Sequence, residues 1–439
     1  MSAQETLLAS EMLDDAKVGQ SMYELAEQLA PICRSITGNG VRQTLKIIGE
    51  RIPLKISEVP SGTQVLDWTV PDEWNIRDAY LLNNRGEKVI DFKRCPLHVL
   101  GYSVPMKGRF TLEELKPHLF TDPAHPDWVP FRYSYYTKNW GFCLSHSDFE
   151  RLEDGEYEVV IDSSLEKGSL TYGECLVRGD TAEEVLISVH TCHPWMCNDN
   201  LSGIAVATAL AGRLSQRRNR LSYRFIFIPT TIGSITWLSR NQHRLDNVKH
   251  GLVLTCVGDN GQFHYKRTRR GNSAIDDAMI YALKQTGEPH TLLDFIPFGF
   301  DERQYSSPGF NLPVGCLMRT PNGKYPEYHS SADNLDLIHA DKLAGSLALC
   351  ERAFEVLEGN VRYMNTSPHG EPQLGKRGIY RTIGGSIPEE SLVTMLWVLN
   401  YSDGGNSLLD IAERSSIGFR EIRQAADLLY QHDLLAVCD

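Results

Sequence analysis

Residues 188–203 read Ser188-Val-His190-Thr-Cys-His193-Pro-Trp-Met-Cys-Asn198-Asp199-Asn200-Leu-Ser202-Gly203. The apolar run from Glu184 to Val189 predicts a buried strand that ends at His190, and the small-residue pattern from Leu201 to Leu214 predicts a helix. A polar loop joins the two and carries His193 and Asp199. Two imidazoles and a carboxylate therefore converge at the carboxyl end of a strand, where open α/β sheets build their sites. Zinc takes nitrogen and oxygen ligands, three from the protein with one position left for water. The alternative for each residue alone is a satisfied core histidine at His190 and a helix N-cap at Asp199.

Working outward, the chain alternates between strand and helix. Strands are predicted at Tyr223–Ile228, Gly251–Val257 and Leu312–Leu317, and helices at Ser234–Gln242, Ala274–Gln285 and Ala340–Leu357. Short apolar strands alternating with helices predict an α/β fold with a mixed, mostly parallel sheet flanked by helices. Residues 1–50 read as helical. From Pro53 to Thr171 the text changes to Trp, Tyr, Pro and short β-like runs, with a hairpin turn at Asn84-Arg85-Gly86, as an inserted β-rich domain would. The expected division is therefore 1–52 with 172–365, an insertion at 53–171, and a C-terminal domain at 371–439. In the last, short helices at Glu389–Asn400, Leu408–Ser415 and Phe419–His432 have helix-turn-helix proportions. A Gly/Pro-rich loop from Glu358 to about Gly385 precedes them.

The 439 residues are 41% hydrophobic and 23% charged, with a net charge of −12. That excess of acid opposes wholesale attraction to nucleic acid or anionic membrane. Residues 371–439 carry 6 Lys and Arg against 10 Asp and Glu, so the C-terminal domain lacks the basic face a DNA reader needs. No apolar run is long enough to span a bilayer, and the first residues lack the basic start and apolar core of a secretory signal. Ten scattered cysteines without a CxxC pair then predict reduced thiols and a cytoplasmic location. A ligand role for Cys192 or Cys197, which flank His193, is the minor alternative.

A second cluster is Tyr325-Pro-Glu-Tyr328-His329-Ser-Ser-Ala-Asp333-Asn334, in a loop between a strand and a long helix. His329 is the candidate distant ligand, and Asp333 a candidate partner for it or a cap. With HTCHP at 190–194, NDNLSG at 198–203, IGS at 232–234, GFDERQYSSPGFNLP at 299–313 and YPEYHSSADNLD at 325–336, the chain resembles the DUF4910 aminopeptidase-like proteins, relatives of the M28 zinc peptidases. The early β-rich segment resembles their inserted DUF2172 module and the C-terminus their winged-helix domain. The resemblance covers nearly the whole chain.

It implies a zinc exopeptidase-like fold and a zinc-dependent amide hydrolase acting on a small peptide or aminoacyl conjugate. The strand-end His matches His190, or His193 with a shifted loop; the bridging Asp matches Asp199 and the late His matches His329. The Glu-Glu pair falls on Thr230-Thr231, and the further Asp should lie near Thr255. One zinc ion rather than two is the consequence. Thr230 stands where the general base stands, and a neutral hydroxyl is a poor base. Glu302 and Asp301 are the nearest substitutes by motif position.

Arg303 and Arg319 are candidate clamps for a substrate carboxylate, and Tyr305 and Tyr328 candidate donors to an oxyanion. The aromatic segments Phe131–Tyr136 and Trp140–Phe142 could wall the pocket or simply pack. The competing functions are a peptidase-fold binding protein that has lost its base, and a DNA-binding regulator with a ligand-sensing domain. A homo-oligomer is left open.

Overall fold

The computed structural model describes residues 3–379 and 389–438 and divides into two compact units, 1–351 and 352–439. The first unit is built on an eight-stranded sheet. Its strands are β1 (Lys55–Pro60), β2 (Ser169–Val177), β3 (Glu184–His190), β4 (Ser222–Ile228), β5 (Val248–Leu254), β6 (Phe263–Lys266), β7 (His290–Leu293) and β8 (Val314–Met318). They lie in the order β1-β2-β4-β3-β5-β8-β6-β7. The middle four, β4-β3-β5-β8, are parallel; β1, β2 and the β8–β6 pairing are antiparallel. All seven residues of β3 and all seven of β4 are buried, as strands covered on both faces require. Helices Gly203–Ser215, Ile232–Asn241 and Ala274–Thr286 follow their strands as the alternation predicts. The strands β6 and β7, four residues each, are too short to leave a readable pattern.

The boundaries of the insertion differ from the sequence reading. Strand β1 runs antiparallel to β2 from Lys55↔Glu174 to Pro60↔Ser169, so residues 55–60 and 169–171 belong to the large sheet rather than to the insertion. An antiparallel pair brings both ends of the inserted segment together, which is what an insertion needs. Between them stands a four-stranded antiparallel sheet, Lys88–Asp91, Glu73–Leu82, Glu156–Glu166 and Met106–Thr111 in spatial order. Its buried Trp74, Leu81, Val159 and Ile161 join one hydrophobic core with Leu186, Ile226 and Ile228 of the large sheet.

The second unit, described by itself, is a winged helix. Strand Arg362–Asn365 lies between Asp403–Ser407 and Leu435–Val437. Helices Glu389–Tyr401, Leu408–Ser415 and Phe419–Gln431 pack over Val398, Ile411, Ile422 and Leu429, all buried. The Ser407 hydroxyl and the Asp410 carboxylate form a capping box at the start of the second helix. Because Arg362–Asn365 is the central strand of this sheet, the unit begins earlier than the expected residue 371. The end of the expected Gly/Pro-rich loop, from 380 to about Gly385, lies outside the described residues. Among the described residues no helix is long and apolar enough to cross a membrane.

Candidate metal centre

His190 is the last residue of β3, in register with Ile228 at the end of β4. The chain then turns through His193 into Cys197–Ser202, where the backbone leaves helical geometry at Asp199 and Asn200 before the helix from Gly203 starts. Asp199 is therefore not the N-cap of that helix; Ser202 holds the place. Buried Asp333 fixes the turn. Its carboxylate accepts the backbone N–H of Asn198 at 2.6 Å and of Asp199 at 3.1 Å. The expected role of Asp333, orienting His329 or capping a helix, is replaced by this grip on the loop that carries Asp199. Burial pushes the Asp333 carboxyl up to about 8, and the N–H groups of Asn198 and Asp199 work against that rise.

Held this way, the fully buried Asp199 carboxylate meets three imidazoles. Oδ1 lies 2.8 Å from His190 Nε2, and Oδ2 lies 3.2 Å from His329 Nε2 and 4.0 Å from His193 Nε2. The ligand atoms of His190, His193 and Asp199 all fall within 4.8 Å of one another. Tetrahedral zinc with bonds of about 2.0–2.1 Å places its ligand atoms roughly 3.3 Å apart, and the contacts around Asp199 bracket that spacing. Burial holds the His193 imidazole well below its usual 6.5 despite the opposing charge of Asp199, so its nitrogen lone pair is free. Burial also pushes the Asp199 carboxyl up, but the charges of His193 and His190 and the hydrogen bonds from His190 and His329 outweigh it and hold the group well below 3.8. Imidazole nitrogens around a carboxylate are a donor set zinc favours.

The inserted segment reaches this cluster. The Phe131 backbone N–H donates to His329 O at 2.8 Å and the Ser331 N–H to Val129 O at 2.8 Å. The Phe131 ring lies 5.2 Å from His193 and 5.3 Å from His329, centroid to centroid. Tyr328 stacks on His329 at 3.9 Å. The insertion thus sets the position of His329, about two hundred residues further along the chain, a link no local sequence pattern carries.

The ends of the neighbouring strands are neutral. After β4 the Thr230 hydroxyl donates to Asp301 Oδ1 at 2.8 Å, and the Ser234 hydroxyl donates to the same oxygen at 2.9 Å. Burial raises the Asp301 carboxyl above its ordinary value, against the pull of His190 and the two hydroxyls. After β5, buried Thr255 has its hydroxyl 3.6 Å from Cys256 Sγ. Among the described residues the one group of three or more metal-ligating side chains is His190, His193 and Asp199. Cys192 Sγ lies 3.3 Å from His193 Nδ1. Cys197 Sγ contacts Trp195 O at 3.3 Å.

A cavity of about 250 Å³ opens beside the cluster, lined by His193, His329, Tyr328, Thr230, Thr231 and Arg303, with Trp68, Tyr133, Tyr135 and Tyr136 forming an aromatic wall. Three expected residues are elsewhere. Glu302 is buried in an ion pair with Lys266 and does not line the cavity. Tyr305 is buried with its hydroxyl 2.9 Å from Ser188 Oγ. Arg319 is buried over the Phe263 ring at 4.0 Å and donates to Gly261 O at 3.0 Å and Ser346 Oγ at 3.3 Å. The cause is plain for the first two: on the short helix Glu302–Tyr305 each successive side chain turns about 100°, so Arg303 reaches the cavity while its neighbours turn into the core. In the aromatic segments Tyr133, Tyr135 and Tyr136 reach the cavity, whereas Trp140 and Phe142 are core. Trp68, which no motif contains, joins the wall from the start of the insertion.

Residues 23–360 match the model of a family described as a domain of unknown function, DUF4910, and residues 361–437 match a winged helix-turn-helix family, HTH_47. A Clostridium acetobutylicum protein, named for polysaccharide biosynthesis and an aminopeptidase-like domain, is 55% identical over 424 residues, 96% of this chain and 97% of its own length. A solved structure named as a peptidase from the same organism is 52% identical, covers 99% of this chain and 100% of its own, and has a TM-score of 0.92. BSAP, a zinc aminopeptidase from Bacillus subtilis, is 12% identical, with a TM-score of 0.56 over 77% of this chain and 94% of its own. A likeness at that identity is one of fold, and the fold is that of the zinc aminopeptidases.

Proposed function

The chain belongs to the DUF4910 family, and from its site we propose that it is a zinc-dependent amide hydrolase acting on a small peptide or aminoacyl conjugate. One observation carries the reading: a cluster of three imidazoles and one carboxylate, buried His190, His193 and Asp199 with half-buried His329, opening on a small cavity. One zinc ion fits the donors, since Thr231 and Thr255 supply no acid for a second. Bound there, zinc lowers the pKa of water toward about 7 and polarises a carbonyl.

The chain's own part is to hold the amide and take the proton. Thr230 lines the cavity and donates to Asp301. A hydroxyl so placed accepts a proton from cavity water while passing its own to Asp301 Oδ1, whose basicity burial has raised. Asp301 thereby takes the role for which Glu302 was the other sequence candidate. The tyrosines and Trp68 line one side of the cavity, and the aminopeptidase-like domain in the name of the Clostridium acetobutylicum relative supports an amide substrate.

The test is elemental analysis of the full chain with hydrolysis of a panel of free-amino and N-acylated amides. Asp301→Asn should lower turnover by about 10²–10⁴-fold at unchanged zinc content. A second reading rests on the neutral Thr230-Thr231 pair: a peptidase-fold binding protein. It wins if the zinc-loaded chain hydrolyses nothing on the panel and Thr230→Glu restores hydrolysis.

A further inference from the structure

The charges lining the cavity do not suit a substrate with a free amino terminus. Its lining residues include Arg303 and no Asp or Glu. The carboxylates nearest in sequence are already engaged, Asp301 by Thr230 and Ser234 and Glu302 by Lys266. Asp199 is engaged by His190 and His329. Arg303 itself is half-buried, and its one hydrogen bond among the described residues runs from Nη2 to the Thr231 hydroxyl at 3.4 Å. Its Nε is buried with no acceptor. A guanidinium has five donors and no acceptor, and one withdrawn from water without a carboxylate is incomplete until a ligand supplies the anion.

We infer that Arg303 is an anion subsite and that the cavity takes amides bearing a free carboxylate beside the scissile bond, an N-acylated amino acid or the carboxyl end of a short peptide. The planar guanidinium pairs with a carboxylate through two parallel N–H···O bonds. Trp68, Tyr133 and Tyr136, which are 44%, 50% and 56% exposed, give the cavity an aromatic wall for the rest of the ligand. An α-ammonium in the same place would face Arg303 with no acid to hold it. The polarity is thus opposite to that of an enzyme that recognises an amino terminus. The position of the scissile bond rests on the hydrolase reading above; the anion subsite does not.

Calorimetry on the full chain, with and without zinc, separates the two. The probes are N-acetyl-L-leucine, N-acetyl-L-leucinamide and L-leucinamide. The carboxylate probe should bind about 10- to 100-fold more tightly than its neutral amide in both forms, the range expected for hydrogen bonds to a charged group. Arg303→Gln should erase that difference, and Arg303→Lys should keep part of it. Tighter binding of L-leucinamide overturns the inference. So does a carboxylate preference that appears only with zinc and survives Arg303→Gln, because the metal would then be the anion's partner. Arg303-dependent binding without hydrolysis of any probe would leave the subsite standing and remove the hydrolase.

Discussion

Two buried charge clusters share the central strands of the large sheet. Around Arg224 of β4, the guanidinium meets Glu184 of β3 at 2.6 Å and Glu174 of β2 at 2.9 Å, and Arg244 adds a second cation to Glu174 at 3.1 Å. Two cations face two carboxylates, so the network is closed. At the other end of β3, His190, His193 and His329 surround the single carboxylate of Asp199. Among the described residues no Lys or Arg pairs with Asp199, and a cavity opens beside the cluster. Burial is common to both. What separates them is whether the protein supplies the last partner or leaves that place to a ligand.

The largest effect should come from opening the closed cluster. Arg224→Met leaves Glu184 and Glu174 buried with only Arg244 nearby, and breaking such a network costs about 3–5 kcal/mol. Urea denaturation should show that loss, while zinc affinity measured on the folded protein stays within about twofold. Equal loss of zinc affinity would mean that the two clusters act as one. The reverse case is Asp199→Asn, which keeps the volume and removes the charge. Partners outside the ligand shell alone are worth about 10–100-fold in metal affinity, so zinc binding should fall by at least about 100-fold. The zinc-free variant should lose less stability than Arg224→Met does.

The contrast also shows which parts of the molecule are legible in the sequence alone. The strand ending at His190, the loop with His193 and Asp199, and the helix after it lie within thirty-two residues, 184–215, and their periodicity changes where the structure changes. His329 is visible through a motif rather than a pattern, since its meeting with Asp199 depends on long-range packing and on Phe131 of the insertion. Side-chain direction is the harder matter. Glu302, Arg303 and Tyr305 share one motif and one short turn, yet only Arg303 faces the cavity. Arg319 has the chemistry of a clamp, but it is packed on Phe263. Asp333 stands four residues from His329 and suggests a partner for it, whereas its acceptors serve a backbone 135 residues away. Strand β1 reads as part of the insertion because Lys55–Pro60 is mostly exposed and its pairing with β2 cannot be seen locally.

A third, half-buried group sharpens the distinction, because its inward ring nitrogen has no partner among the described residues. His250, on β5 opposite Val185, keeps its Nδ1 buried without a hydrogen bond. Burial, with help from the charges of Arg220 and Lys249, lowers its pKa from 6.5 to about 4. Between those values the unfolded chain binds a proton that the folded chain does not, so stability falls as pH drops from about 6.5 to 4. A tenfold difference in proton affinity corresponds to about 1.4 kcal/mol, and partial exposure reduces the sum to about 2 kcal/mol. His250→Phe removes the group from both states. The difference between wild type and variant in urea denaturation should therefore grow by about 2 kcal/mol between pH 7 and pH 4.5, in favour of the variant at acid pH. A parallel pair of pH profiles would show instead that His250 finds a partner in solution, and that burial without a partner is not what sets it apart from His190.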